Sequence, residues 1–271
     1  GLGIAPSGGK IPESWNPVIE EALDNGLSIV NGLHDVLNER WSHHIKNPLK
    51  QWIWDVRIPL FTPEIATGKA SQLQNKRVLF IGTDMAVGKM TAGLELYSWL
   101  LEHKKKVGFV ATGQIGITIA GKGIPLDAFK VDHACGAVEQ VVLDQADKDI
   151  LLIEGQGSLL HPGSTATLPL MRGSCPTHLI LCLRAEIKTL RSPEHIKIPD
   201  LNDFIALNES LASVFGTFPR SRVIGIAANT SMLSDNDAKA YLSKTSKDTG
   251  LVTTDPIRYG IAPIGEEILM S

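Results

Sequence analysis

Short apolar runs alternate along this 271-residue chain with stretches in which apolar residues recur at helical spacing. Apolar runs rich in β-branched residues are typical of buried parallel strands, and the helical spacing is typical of helices packed on them. The predicted strands are residues 27–30, 51–56, 77–81, 107–111, 149–153, 177–183, 222–228 and 252–254. The predicted helices are residues 18–23, a helix that begins near residue 89, and residues 134–146 and 203–215. The alternation predicts an α/β fold with a mainly parallel sheet covered by helices.

Residues 63–75 are mixed in polarity and turn-like, so we expect a domain boundary there, with a first domain at residues 1–72 and a second at residues 73–271. The chain opens with GLGIAPSGGKIP and without an initiator Met. We therefore expect a fragment whose first domain lacks its preceding strands. Gly8 and Gly9 are expected to form a plain turn, with phosphate binding as the alternative.

The composition excludes several classes of protein. Apolar residues make up 43% of the chain and charged residues 20%, as in ordinary soluble globular proteins. The 26 basic and 29 acidic residues give a net charge of -3, which provides no basic field for a nucleic acid or an anionic membrane surface. Residues 155–171 form the longest stretch without a charged residue and are broken by polar residues, so we expect no transmembrane helix.

The three cysteines, Cys135, Cys175 and Cys182, lack metal-ligand spacing and indicate a reducing compartment. We therefore expect a cytoplasmic protein that acts on a small molecule. Homo-oligomerisation stays open.

The strongest functional signal is the segment GTDMAVGKMT at residues 82–91, which directly follows the predicted strand at 77–81 and leads into the next predicted helix. Strand, glycine-containing loop and helix are the context of a phosphate-binding P-loop. Glycines let main-chain amides turn inward, the helix adds its positive end, and Lys89 adds a full charge for phosphate oxygens. The predicted cofactor-binding residues here are Gly82, Thr83, Asp84, Met85, Ala86, Val87, Gly88, Lys89, Met90 and Thr91.

This loop departs from the usual P-loop spacing. Five residues, instead of the usual four, separate Gly82 from the following Gly-Lys pair. Because Met90 intervenes, the hydroxyl that usually follows the lysine comes one place later, at Thr91. The alternative interpretation is a tight turn with an incidental exposed lysine.

Glu154 comes directly after the predicted strand at residues 149–153. A carboxylate at a strand tip beside a P-loop is where nucleotide-binding folds hold Mg²⁺. We therefore predict Glu154 and Thr91 as metal ligands, and Glu154 and Lys89 also as catalytic residues. The alternative for Glu154 is a residue that caps a turn.

Two further polar residues lie where predicted elements begin or end. Asp132 precedes the predicted helix at 134–146 and is either a third metal ligand or the N-cap of that helix. Gln114 follows the predicted strand at 107–111. Because tips of parallel strands face the ligand crevice, we predict that Gln114 contacts substrate.

Residues 155–172 show almost no periodicity and are predicted to form an active-site loop. Within it, His161 is the predicted acid–base catalyst because the pKa of an ordinary histidine lies near neutrality. Arg172 is predicted to bind a substrate carboxylate through its planar guanidinium group. A structural loop histidine and a solvated surface arginine are the alternatives.

Two family resemblances add to these predictions. The GTD and VGK pattern of residues 82–89 resembles the modified P-loop of dethiobiotin synthetases, which also has five residues between the glycines. Four segments together resemble a bacterial family long labelled as a domain of unknown function, some members of which are D-glutamate N-acetyltransferases. The four segments, which cover most of the chain, are LSIVNGLHDVL (27–37), GTDMAVGKMT (82–91), ATGQIG (111–116) and IEGQGSLLHPGSTATLPLMRG (153–173).

The broader resemblance implies a Rossmann-like domain followed by a P-loop domain, and transfer of an acetyl group from acetyl-CoA to the amine of D-glutamate or a similar amino acid. The resemblance to dethiobiotin synthetase implies ATP- and Mg²⁺-dependent activation of a carboxylate, with Asn229 hydrogen-bonded to adenine and Glu154 near the metal. A nucleotide-binding regulatory protein without turnover is the third possibility. The phosphate ligand of the P-loop is accordingly expected to be ATP or acetyl-CoA.

Overall fold

The computed structural model describes residues 10–271, so the predicted turn at Gly8 and Gly9 lies outside the described residues. The chain divides into two compact units. The first comprises the chain up to Thr62 together with Ala111–Phe129, and the second comprises Pro63–Val110 and Lys130–Ser271. The single boundary between residues 72 and 73 stays a prediction.

In chain order the helices and strands are α1 (Asn16–Asp24), β1 (Ile29–Asn31), α2 (Leu37–Trp41), β2 (Ile53–Asp55), β3 (Lys76–Gly82), α3 (Lys89–Glu102), β4 (Val107–Val110), α4 (Gln114–Ala120), α5 (Val131–Leu143), β5 (Ile150–Ile153), α6 (Thr167–Ser174), β6 (His178–Arg184), α7 (Leu201–Ser213), β7 (Arg222–Asn229), α8 (Asp235–Thr249), β8 (Val252–Thr254) and α9 (Ala262–Met270). Within residues 10–271, no helix combines the length and the apolar character needed to cross a membrane.

The second unit is built on a six-stranded sheet with the strand order β4-β5-β3-β6-β7-β8, in which every neighbouring pair is parallel. The strand β3 lies inside this sheet, and all of its residues after Lys76 are buried. Burial on both faces explains why the strand reads as a continuous apolar run in the sequence. The prediction of an α/β fold with a mainly parallel sheet is confirmed. The parallel order brings the carboxyl ends of β3, β5 and β7 to one edge of the sheet.

The first unit contains a two-stranded parallel sheet formed by β1 and β2. Its helices pack through buried apolar residues, among them Leu23 and Leu37. The carboxylate of Asp55, at the end of β2, accepts hydrogen bonds from the main-chain nitrogens of Leu37 and Asn38, both at 3.0 Å. Asp55 thus accepts hydrogen bonds from amide groups at the start of α2 that have no partner within the helix, and it fixes this helix against the end of the sheet.

Two local predictions are wrong. The loop expected over residues 155–172 ends earlier, because α6 begins at Thr167 and places Arg172 on a helix. Leu170 and Met171, buried one turn further along, stabilise this helix. Asp132 is not the N-cap of α5, because the cap position belongs to Lys130 and Asp132 lies exposed in the first turn.

Arg77, at the start of β3, is fully buried. Its guanidinium group donates hydrogen bonds of 2.9–3.0 Å to the main-chain oxygens of Leu73, Asn75, Ser174 and Cys175. These oxygens belong to the segments that precede β3 and β6, so one side chain joins the entries of two neighbouring strands. Because the oxygens of Ser174 and Cys175 are buried and those of Leu73 and Asn75 partly buried, removal of the guanidinium would leave polar groups without their partner away from solvent.

We expect Arg77→Met to lower the free energy of unfolding by about 3 kcal/mol or more, since several hydrogen bonds to a charged donor disappear at once. Urea unfolding followed by circular dichroism measures this change. Arg222→Met is the matched control, because Arg222 is exposed at the start of β7. Equal stability of the two variants would contradict the role assigned to Arg77.

Candidate functional site at the P-loop

The segment between β3 and α3 forms a closed turn. Ala86 and Gly88 adopt left-handed main-chain conformations, with φ of 52° and 106°. Gly88 occupies the N-cap position, so α3 begins at Lys89 as the sequence predicts. The turn exposes the first amides of α3, and a helix N-terminus of this kind favours anions.

Lys89 lies inside this turn and is only 6% exposed, so the alternative of an incidental exposed lysine is wrong. Its Nζ atom donates a 2.9 Å hydrogen bond to the main-chain oxygen of Asp84. Burial lowers the pKa of Lys89, and the nearby groups of Cys182, Asp84 and Glu154 act in the opposite direction. The ammonium group therefore occupies a confined position that an anionic ligand would stabilise.

The space for Lys89 depends on two glycines. A Cβ atom on Gly82 would lie 2.9 Å from Nζ of Lys89. A Cβ atom on Gly155 would lie 1.6 Å from the main-chain oxygen of Phe80 and 3.0 Å from Cδ of Lys89. Any other residue type at position 155 would separate β3 from the segment after β5, because the clash there is with the main chain, whereas the two atoms nearest to a Cβ on Gly82 belong to the side chains of Val87 and Lys89.

The carboxylate of Asp84 shapes the turn. One of its oxygens accepts a hydrogen bond from the main-chain nitrogen of Met85 at 2.6 Å, and the other accepts one from the main-chain nitrogen of Arg191 at 2.9 Å. Arg184 donates from its guanidinium group to the main-chain oxygen of Ala86 at 2.9 Å. Arg184 at the end of β6 and Arg191 in the segment after it therefore both hold the P-loop. The sequence pattern does not reveal these two contacts.

Glu154 is 4% exposed and follows the end of β5. Its main-chain nitrogen donates a 3.0 Å hydrogen bond to the main-chain oxygen of Val110. The charge of its carboxylate acts to raise the pKa of Lys89. Thr91 lies in the first turn of α3, half-buried. Within residues 10–271, no cluster of three His, Cys, Asp or Glu residues could hold a metal ion by itself. Binding of Mg²⁺ through Thr91, Glu154 and Asp132 stays a prediction.

A pocket of about 440 Å³ lies beside the P-loop. Val87, Gly88 and Thr91 line one side of it, and residues at the ends of β7 and β8 line the other. The predicted nucleoside contact Asn229 is among these, and its side-chain oxygen accepts a 3.0 Å hydrogen bond from the main-chain nitrogen of Ser231. The pocket is adjacent to the predicted phosphate site, as a nucleoside with attached phosphates requires.

Asp255, which no sequence pattern assigns to this site, is 5% exposed and lines the pocket. Its carboxylate accepts hydrogen bonds from the main-chain nitrogen and the hydroxyl of Thr230, at 2.8 and 2.6 Å. It also accepts from the main-chain nitrogens of Ile257 and Arg258, both at 3.0 Å. Asp255 therefore holds together the loops after β7 and β8. The Asp-Pro pair directly after the last strand is the only signal that could have indicated it.

His161 is held by the main chain. Its Nε2 atom lies 2.6 Å from the oxygen of Ser192, and its Nδ1 atom accepts a 3.1 Å hydrogen bond from the nitrogen of Gly163. This arrangement fits the structural loop histidine that the sequence analysis leaves open. Catalysis by His161 stays a prediction.

Arg172, the predicted contact for a substrate carboxylate, is not brought to the P-loop. The guanidinium group of Arg172 lies over the ring of Phe218, 5.5 Å from its centre. Because these two residues precede β6 and β7, they lie at the amino edge of the sheet, opposite the P-loop. Gln114 is the first residue of α4 in the first unit.

The sequence profiles of two domains match this chain. The P-loop domain described as DUF1611_C, a domain of unknown function, matches residues 64–265, and the Rossmann-like domain described as DUF1611_N matches residues 1–59. The chain belongs to the DUF1611 family. The predicted order of a Rossmann-like domain and a P-loop domain is therefore confirmed.

Three relatives of this DUF1611 chain are similar over most of its length. A protein named D-glutamate N-acetyltransferase from a Pseudoalteromonas species is 37% identical over 267 residues, which cover 97% of this chain and 79% of that protein. A second protein of that name, from Tritonibacter scottomollicae, is 35% identical and covers 96% of this chain and 77% of its own length. The crystal structure of a DUF1611 family protein from Anabaena variabilis is 44% identical, with a TM-score of 0.94 over 99% of this chain and 78% of that one.

We expect Gly155→Ala to lower the free energy of unfolding by about 1–3 kcal/mol, because the added methyl group cannot fit against the main chain of β3. Urea unfolding measures the loss. Gly163→Ala is the matched control, since the nearest atom to its added methyl group would be on the His161 ring at 3.3 Å. A Gly155→Ala protein as stable as this control would show that the segment after β5 does not need to contact the main chain of β3.

Proposed function

We propose that this protein is a cytoplasmic N-acetyltransferase that moves the acetyl group of acetyl-CoA to the amine of D-glutamate or a similar amino acid. The names of the two relatives that are 37% and 35% identical support this proposal. The structural observation that carries it is the buried Lys89 in a closed turn at a helix N-terminus, next to a pocket of about 440 Å³.

The residues present fit the adenosine diphosphate part of coenzyme A. The amides at the start of α3 and the ammonium group of Lys89 would hold the diphosphate, because both are donors for phosphate oxygens. Gly82 leaves room next to this ammonium group, since a Cβ atom there would lie 2.9 Å from Nζ of Lys89. The pocket beside Thr91 and Asn229 would take the nucleoside.

Bound acetyl-CoA would supply an activated acyl group, which needs no ATP. The protein would have to provide a base that takes a proton from the ammonium group of the acceptor, and donors that face the thioester oxygen. In this proposal the second unit provides the binding groups for the donor substrate, and Lys89 binds its diphosphate.

ATP- and Mg²⁺-dependent activation of a carboxylate is the second candidate. The position of Glu154 favours it, since this buried carboxylate lies in the electrostatic environment of Lys89, at the next strand end. Phosphoryl transfer uses such a lysine and a carboxylate-bound Mg²⁺ to stabilise the transferred group. The names of the relatives do not support this candidate.

Incubation of the protein with acetyl-CoA and D-glutamate is expected to release the thiol of coenzyme A and to form N-acetyl-D-glutamate, detected by mass spectrometry. If no thiol appears but ADP forms from ATP in the presence of a carboxylic acid, the second candidate replaces acetyl transfer. If ADP binds and no substrate is turned over, the protein is a nucleotide-binding regulator.

We expect Lys89→Met to weaken binding of coenzyme A by about ten- to a hundredfold, because a charge-assisted contact to phosphate is lost while the buried volume is kept. Isothermal titration calorimetry measures the dissociation constant. Lys105→Met is the matched control, since Lys105 is exposed after the end of α3. Unchanged affinity in the Lys89 variant would reject the phosphate-binding role.

A further inference from the structure

The segment LSIVNGLHDVL at residues 27–37 belongs to the first unit and has no role in the second unit, which contains the P-loop. It is nevertheless one of the four segments that carry the family resemblance. It contains β1 and the loop after it. Because β1 and β2 are parallel, the residues that follow them lie at the same edge of the small sheet. His34 follows β1 and Arg57 follows β2, so both belong to the edge at which parallel sheets bind ligands.

These two side chains meet Asp127, which belongs to the part of the first unit that comes later in the chain. The Nε atom of Arg57 donates a 2.6 Å hydrogen bond to the main-chain oxygen of Gly32, and its Nη1 atom forms an ion pair with Asp127. The Nε2 atom of His34 lies 3.8 Å from the same carboxylate oxygen of Asp127. We call these three residues the His34–Arg57–Asp127 cluster.

The charges of this cluster suit a zwitterion. The side chain of Arg57 is 11% exposed, so its charge is only weakly screened by solvent, whereas the carboxylate of Asp127 is 52% exposed and open to a ligand. A guanidinium group binds a carboxylate, and a neighbouring carboxylate attracts an ammonium group. An amino acid carries both groups on adjacent atoms.

His34 has the properties of a base. Its side chain is 47% exposed. Burial and the charge of Arg57 lower its pKa, whereas Asp35 acts in the opposite direction, so the ring is mostly neutral at neutral pH. The carboxylate of Asp35 accepts a hydrogen bond from the main-chain nitrogen of Ile11, and Asp127 is the other acidic group that faces the ring. A neutral imidazole next to a carboxylate is a common arrangement for proton abstraction.

We propose that the His34–Arg57–Asp127 cluster binds the acidic amino acid that accepts the acetyl group, and that His34 takes the proton from its ammonium group. This inference rests on the proposed acetyl transfer. Arg57 binds a carboxylate of the acceptor, and Asp127 attracts the ammonium group. The ammonium N–H proton moves to Nε2 of His34, and the free amine forms a bond to the acetyl carbon of acetyl-CoA. The carbon–sulfur bond breaks, coenzyme A leaves as the thiolate, and this thiolate takes the second proton from the amide nitrogen to give the neutral amide and the thiol.

A purely structural reading assigns the cluster to fixing the segment Ala111–Phe129 within the first unit. Under that reading, substitutions change stability and leave the affinity for the acceptor and the pH profile unchanged. Binding and kinetics therefore distinguish the two readings, provided that the variants fold. His34 is exposed and Arg57→Lys keeps the positive charge, so both substitutions spare the apolar core.

The test uses His34→Gln and Arg57→Lys, with His43→Gln and Arg40→Lys as matched controls at exposed positions of the same unit. We expect Arg57→Lys to raise the KM for D-glutamate about tenfold, because an ammonium group cannot bond Gly32, Asp127 and the acceptor carboxylate in the fixed geometry of a guanidinium group, and to leave the affinity for coenzyme A unchanged. We expect His34→Gln to lower kcat by about a hundredfold and to abolish the acidic limb of the pH profile of kcat/KM. Titration calorimetry measures binding of D-glutamate and of coenzyme A to every variant.

The outcomes separate this inference from the proposed function. Wild-type protein that binds no D-glutamate overturns the inference, whatever the thiol assay gives. Wild-type protein that binds D-glutamate, more weakly in Arg57→Lys, but releases no thiol supports the binding site and overturns acetyl transfer. Thiol release with an unchanged KM and pH profile in both variants leaves acetyl transfer standing and overturns the role of the cluster.

Discussion

The arrangement of the main chain at the sheet edge that carries the P-loop depends on the burial of one lysine ammonium group. Removing an ammonium group from water is unfavourable unless polar partners compensate, and Lys89 finds them in the carbonyl oxygen and carboxylate of Asp84 and in Glu154. The main chain beside the lysine approaches β3 so closely that position 155 can carry no side chain, since a Cβ atom on Gly155 would lie 1.6 Å from the main-chain oxygen of Phe80. The spacing of β3 and β5, the path of the turn and the start of α3 all satisfy this requirement.

The sequence predicts much of the fold because the strands of the second unit are buried on both faces and therefore read as uninterrupted apolar runs. It also places the start of α3 correctly, since the Gly-Lys pair of a P-loop stands where the loop ends and the helix begins. It does not predict α6, whose apolar residues are few and which is stabilised by burial of Leu170 and Met171. Nor does it show that Ala111–Phe129, between two segments of the second unit, belongs with the first.

The candidate site was predictable where its residues are neighbours in the chain and unpredictable where they are not. The P-loop and Glu154 each carry a local signal, a glycine-containing turn and a carboxylate at a strand end. The role of Asp255 depends on its contact with Thr230, which is 25 residues away, and the role of Arg57 depends on its contact with Asp127, which is 70 residues away. Arg172 is the opposite case. Its place in a predicted active-site loop indicated a substrate contact, whereas α6 carries it to the edge of the sheet opposite the P-loop.

The discontinuous first unit has a consequence for biosynthesis. A ribosome makes the chain from its amino end, so Arg57 emerges long before Asp127, and β3, α3 and β4 are completed in between. The nascent first unit therefore lacks its last segment while the central strand of the neighbouring unit is already outside the ribosome. Completion of the first unit during translation must wait for residues 111–129, unlike that of a domain formed from one uninterrupted stretch.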